Sequence, residues 1–235
     1  MRPILLRLLW IVPLSLLLAA VLALATGFAT IPDRWNPWAP LQLSDTPNML
    51  TGYKLRRLRH DAPRCHAFLD QSDLRYTPVE DRIHDTGCHI RNAVRISRSD
   101  IAYGSAVVLT CPMAAGLALF ERHVLAPAAR SHFDQPVGQI EHFGSYACRN
   151  VYNRESGRLS QHATANAFDI AAFRLRDGRR IALAGDWAED GKKGAFLREV
   201  RDGACGIFGT VLGPDYNAAH HNHFHFDMGG YFICR

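Results

Sequence analysis

Residues 8–31, LLWIVPLSLLLAAVLALATGFATI, run for twenty-four positions without a charged side chain. A helix rises about 1.5 Å per residue, so this run is long enough for the roughly 30 Å hydrocarbon core of a bilayer. A run this long at the extreme N-terminus does not suit a buried core helix. Arg2 and Arg7 precede it, and the positive-inside rule then leaves the N-terminus in the cytoplasm and exports everything after Ile31. The expectation is an uncleaved signal anchor on a single-pass protein of the bacterial inner membrane, with its C-terminal domain in the periplasm. A cleaved signal peptide is the rival reading, because Ala23-Leu24-Ala25 resembles a cleavage site. Its apolar stretch, however, is usually only about 7–15 residues.

All six cysteines, Cys65, Cys88, Cys111, Cys148, Cys205 and Cys234, follow that run. No C-x-x-C occurs, which disfavours a zinc ribbon or a thioredoxin-like site. An even number in an exported chain reads as up to three disulfides. Cys205 and Cys234 are expected to pair, since they bracket the H-x-H strand described below and would fix it against the preceding helix. The other pairings stay open. A chain of 235 residues allows one medium domain. With 48% hydrophobic and 21% charged residues it is not mostly disordered. A formal charge of +5 is too mild to argue nucleic-acid binding, though it would suit an anionic polymer.

Three segments follow: residues 1–31 as the anchor, 32–60 as a linker, and 61–235 as the folded domain. The linker holds Pro32, Pro37, Pro40 and Pro47, with Trp35 and Trp38 placed as interfacial anchors. Its basic run 54–59, KLRRLR, reads as a solvated face, with contact to anionic lipid or an anionic polymer as the alternative. Within the domain, residues 62–74 read as a helix. A second helix starts at Pro112 with an apolar stripe of Met113, Leu117, Phe120 and Val124, which Pro127 kinks or ends. Residues 193–202 read as a third. Strands are expected over 88–96, 145–151, 167–175, 179–184 and 222–228, with Asp177-Gly178 as a hairpin turn. Helices come early and hairpin-linked strands late, so the fold class expected is α+β.

Ligand-type residues concentrate in two places, Ser160–Asp169 (SQHATANAFD) and His220–Asp227 (HHNHFHFD). Strand side chains alternate faces, so His223 and His225 share one face, followed by Asp227, while Phe224 and Phe226 take the other. His162, Asp169 and His225 supply two imidazoles and a carboxylate, a set that binds zinc and leaves a position for water. Zinc suits metal-assisted hydrolysis because that chemistry needs no redox change. Any one of these residues alone would be unremarkable; the spacing H-x6-D followed by H-x-H is not.

The pattern S-x-H-x6-D with a later H-x-H resembles the zinc D-alanyl-D-alanine carboxypeptidases and murein endopeptidases of the LAS type. The LytM type has H-x3-D instead. Over residues 60–235 the chain looks still more like bacterial extensin-like C-terminal domain proteins, through Tyr146, Cys148 and Arg149, through Ser160, His162 and Ala163, and through VLGPDYNAAHHNHFHFDM. The resemblance implies a small antiparallel sheet carrying the zinc site, flanked by helices. It implies His162, Asp169 and His225 as Zn2+ ligands and His223 as the acid–base group. It also implies His220 as an auxiliary histidine and Arg149 as a guanidinium that steadies substrate or oxyanion. Ser160 would help hold substrate, and Asp227 would orient a ligand from behind. The chain departs from the LAS pattern at Ala165, where the group has Gly. The function expected is a membrane-anchored zinc hydrolase cutting peptide bonds in peptidoglycan, as endopeptidase or carboxypeptidase. The alternatives are a non-catalytic peptidoglycan-binding or scaffold protein that keeps its zinc, and a secreted metal buffer that takes up several weakly held ions.

Overall fold

The computed structural model describes residues 2–235, with side chains from Trp10 onward. It divides into two units, one ending at Ala39 and one spanning Pro40–Arg235. In the first, α1 (Arg2–Ala25) carries Pro13 inside the helix. It stops where Thr26 Oγ1 donates to the Leu22 carbonyl at 2.8 Å and Gly27 takes φ +72°. Residues 26–31 of the apolar run are thus outside the helix. Among the described residues no helix is long and apolar enough to cross a membrane. This overturns the expected span over 8–31, and with it the single-pass inner-membrane placement and the anchoring role given to Trp35 and Trp38. Hydropathy marked which residues avoid water; the turn at Thr26–Gly27 decided how much of the run is helix.

The second unit opens on α2 (Thr51–Arg57) and α3 (Ala62–Leu69). Strands β1 (Arg75–Val79), β2 (Arg82–Ile83), β3 (His89–Ile90), β4 (Ala93–Arg98) and β5 (Ala102–Thr110) follow. Next come α4 (Cys111–Phe120), α5 (Ala126–Phe133), β6 (Val137–Gly144), β7 (Ala167–Leu175) and β8 (Arg180–Ala182). The last elements are α6 (Leu183–Asp186), α7 (Lys192–Ala204), β9 (Thr210–Leu212), β10 (Phe224–Asp227) and β11 (Ile233–Cys234).

Nine strands make one sheet in the order β1-β4-β5-β6-β7-β10-β9-β11, with β8 also pairing β7. The β5–β6 and β9–β11 pairs are parallel and the others antiparallel. The fold is mixed α+β, but the sheet is neither small nor wholly antiparallel, which corrects the sequence expectation. Short strands such as β9, three residues all buried, carry no alternation to read. Parallel partners meet only through long connections that the whole fold sets.

The expected strand over 145–151 is instead a strap that leaves β6 at Gly144. The 88–96 strand is broken in two, because Asn92 takes φ +44° between β3 and β4. Helix α4 is buried at all ten positions, so it is core on every side rather than along one stripe, and Val124 is only partly buried. Pro127 does not end the helical segment: a π-helical turn over Glu121–Leu125 leads into α5, which holds Pro127 in its first turn. Residues before Asp61 also join the core, with Leu41, Leu43, Leu55 and Leu58 buried. Lys54 of the basic run is 4% exposed, so that run is not a fully solvated face.

Three disulfides close this unit: Cys65–Cys111, Cys88–Cys148 and the expected Cys205–Cys234. Closing loops of these lengths contributes about 4 kcal/mol each on the chain-entropy model.

Candidate metal centre

Strand β10 decides the site. Its register sets His225 opposite Asp169 and Asp227 opposite Ala167 on β7, and opposite Leu212 and Thr210 on β9. Directly opposite residues on antiparallel strands project to the same face, so His225, Asp169, Asp227 and Thr210 share one. Phe224 and Phe226 turn to the other, where Phe226 meets Phe120 at 5.3 Å and Phe208 at 4.8 Å between ring centroids. The aromatic face anchors the strand in the core and the polar face is presented to a cleft.

His162 arrives from a 3₁₀ turn over Gln161–Thr164 just before β7. The Ser160 hydroxyl caps that turn, accepting the His162 N–H at 3.3 Å. The turn ends at Ala165 with φ +54°, a left-handed position that favours glycine. The strap over 145–151 holds His162 from the other side. His162 Nδ1 donates to the Ser145 carbonyl at 3.1 Å, and the Ala147 N–H donates to the His162 carbonyl at 3.1 Å. The Cys88–Cys148 disulfide ties this strap down.

The three expected ligands meet. His162 Nε2 lies 3.1 Å from Asp169 Oδ2 and 3.2 Å from His225 Nδ1, and His225 Nδ1 lies 2.9 Å from Asp169 Oδ1. Donor atoms around tetrahedral zinc stand about 3.3 Å apart, given Zn–N and Zn–O distances near 2.0–2.1 Å. The outer nitrogens are engaged elsewhere: His162 Nδ1 with Ser145 and His225 Nε2 with Asp227 Oδ2 at 3.1 Å. Asp227 is in turn held by the Gly229 N–H at 2.6 Å. Each imidazole therefore turns one nitrogen toward the common centre, with a hydrogen-bonded group behind it, as metal-ligating histidines are usually held. The donor set fits zinc.

Electrostatics separate the histidines. Burial works against ionised Asp169, yet hydrogen bonds from His162 and His225 outweigh it and hold the carboxyl well below its usual range. Burial also opposes a charged His225, but its bonds to Asp169 and Asp227 lift it to about 9. His220 is pushed down to about 4 by burial and by the neighbouring imidazoles His225 and His223. His223 is lowered too, mainly by burial. Both are neutral at pH 7. His223 Nδ1 donates to Asn222 Oδ1 at 2.9 Å, which leaves Nε2 with its lone pair 3.7 Å from Asp169 Oδ1. That gap is too long for a hydrogen bond and puts the lone pair beside the ligand cluster.

His220 Nδ1 donates to Asn217 Oδ1 at 2.8 Å, and its ring lies 5.2 Å from that of His223. Asn217 Nδ2 donates to the Tyr152 hydroxyl at 3.0 Å. Arg149 and Ser160 line the same cleft, of about 660 Å³. His221 is exposed, and its Nδ1 donates to the local Ala218 carbonyl at 2.8 Å. Sequence reasoning did not pick out Tyr152, Arg158, Thr210, Asn217 or Tyr231, all of which belong to the site's surroundings. Only Asn217 left a signal, as a side-chain cap directly before Ala218-Ala219-His220.

The model of the extensin-like protein C-terminus matches residues 63–235. The chain belongs to that family. The match takes in all six cysteines and the clustered His162, Asp169 and His225, while α1 and α2 precede it. Searches of curated proteins and of solved structures gave no match.

Proposed function

We propose that this extensin-like domain is a zinc-dependent hydrolase cutting peptide bonds in peptidoglycan, as an endopeptidase or carboxypeptidase akin to the LAS type. One observation carries the reading: His162 Nε2, Asp169 and His225 Nδ1 converge at 2.9–3.2 Å with both outer imidazole nitrogens already engaged. The three disulfides also fit a chain that folds in an oxidising environment.

Zinc bound there supplies Lewis acidity and a water acidic enough to ionise near neutral pH. His162, Asp169 and His225 would hold it, and Asp227 would fix the His225 ring. His223 Nε2, neutral and with a free lone pair, takes the proton from the attacking water and later gives it to the departing amine. Arg149 reaches the cleft with no hydrogen bond or ion pair on its guanidinium among the described residues. It is suited to meet the oxyanion as charge develops. His220 keeps its Nδ1–H on Asn217, which fixes the imidazole packed beside His223.

The test is metal content and muropeptide release for the purified chain, with and without chelator. One zinc per chain and chelator-sensitive release support the reading. One tightly held zinc with no release from any sacculus favours a binding or scaffold protein.

A further inference from the structure

The metal centre fills only one part of the cleft. Residues 149–160 form a narrow hairpin beside it. The Ser160 N–H donates to the Arg149 carbonyl at 3.0 Å, the Val151 N–H donates to the Arg158 carbonyl at 2.9 Å, and Asn150 bridges Leu159. Alternation along the hairpin then puts Arg149, Val151, Arg158 and Ser160 on one face, and all four line the cleft. Leu159 turns the other way, toward Gly87. Two guanidiniums are thus presented together. Neither has an ion pair among the described residues, while the two acids of the cleft, Asp169 and Asp227, are both engaged with histidines.

Arg158 is positioned rather than loose. Its guanidinium lies 4.5 Å from the centre of the Tyr231 ring, which comes from the loop between β10 and β11. That loop leads into Ile233, the neighbour of Thr210 in the sheet. Thr210 is 5% exposed, lines the same cleft, and its hydroxyl has no hydrogen-bond partner among the described residues. A buried hydroxyl left unpaired is costly, so an acceptor delivered to it from the cleft is favoured.

We propose that Arg158 and the Thr210 hydroxyl form a carboxylate subsite beside Arg149, which is left to the oxyanion, so that the cleft takes peptides bearing a free carboxylate near the amide to be cut. The planar guanidinium fork matches a carboxylate, and stacking on Tyr231 fixes the fork before substrate arrives. This rests on the hydrolase reading for its substrate class, but the subsite is a binding claim and is tested by binding.

The probe is a purified wall stem peptide, compared with the same peptide after its carboxylates have been converted to amides. Titration against the full chain should show the amide binding about tenfold or more weaker, the worth of a charge-assisted hydrogen bond. In Arg158→Met that ratio should fall to about twofold or less, while Arg154→Met, which removes a cation that stacks on Tyr152 and does not line the cleft, should keep it. Thr210→Val, nearly isosteric, should lower the ratio by a smaller factor. Acid and amide binding alike, neither binding at millimolar concentration, or undiminished discrimination in Arg158→Met each overturn the subsite. Discrimination that depends on Arg158 in a chain that cuts no wall peptide upholds the subsite and removes the hydrolase.

Discussion

Two largely buried carboxyl groups in this protein are pushed in opposite directions. Asp169 sits among imidazoles, and their hydrogen bonds outweigh the cost of burying its charge. Glu121, the first residue of the π-helical turn, has the Tyr103 hydroxyl for its partner. Burial dominates there, the bonds from Tyr103 and Ser99 offset only part of it, Asp100 and Asp73 add to it, and the group rises to about 7. Burial is common to both carboxyls and the neighbours decide the sign. A carboxylate kept ionised among histidines is equipped to hold a cation. A carboxyl that stays protonated close to neutrality is a packing element that tolerates its hydrogen-bonded phenol.

The sharpest way to break the contrast is at Asp169. Asp169→Ala should abolish both stoichiometric zinc and muropeptide release, measured on the same preparation. Retained zinc would show that the carboxylate is ionised for some other purpose. His223→Ala comes next: zinc should stay near stoichiometric while release falls by about 10²–10⁴-fold, the usual contribution of a positioned acid–base group. If His223→Ala loses zinc and His225→Ala keeps it, the two histidines have exchanged roles.

Glu121 gives a pH effect of the opposite sign from an ordinary ion-paired acid. Its folded pKa lies above the unfolded value, so the folded state holds the extra proton between about 4.5 and 7. The stability it contributes is present below that window and lost as pH rises through it, by about 3 kcal/mol. Urea midpoints of wild type and Glu121→Gln from pH 4.5 to 7.5 isolate this term. The wild type should lose about that much more than the variant, and parallel curves would refute the assignment. The smallest effect belongs to Asp227→Asn, which loosens His225 from behind without removing a ligand. Zinc affinity should weaken by about 10–100-fold, with the zinc still bound at saturating concentration.

The clustering of the candidate ligands was legible in the sequence. H-x6-D and H-x-H named the three clustered side chains, because strand alternation alone sends His225 and Phe226 to opposite faces. The Cys205–Cys234 bridge was legible for a related reason, since both cysteines flank the same strand. The extent of the sheet was not, because strands such as β9 and β11 are two or three residues long and exist only through their partners. The membrane span was misjudged, since composition reports hydropathy and not where the backbone leaves the helix. The strap over 145–151 looked like a strand, yet its backbone pairs with His162 and with the short segment 158–160 rather than joining the main sheet. Arg158 and Thr210, fifty-two residues apart in the chain, carried no signal at all. A guanidinium and a hydroxyl acquire meaning only when a hairpin and a sheet edge place both against one cleft, and that placement is a property of the packed chain.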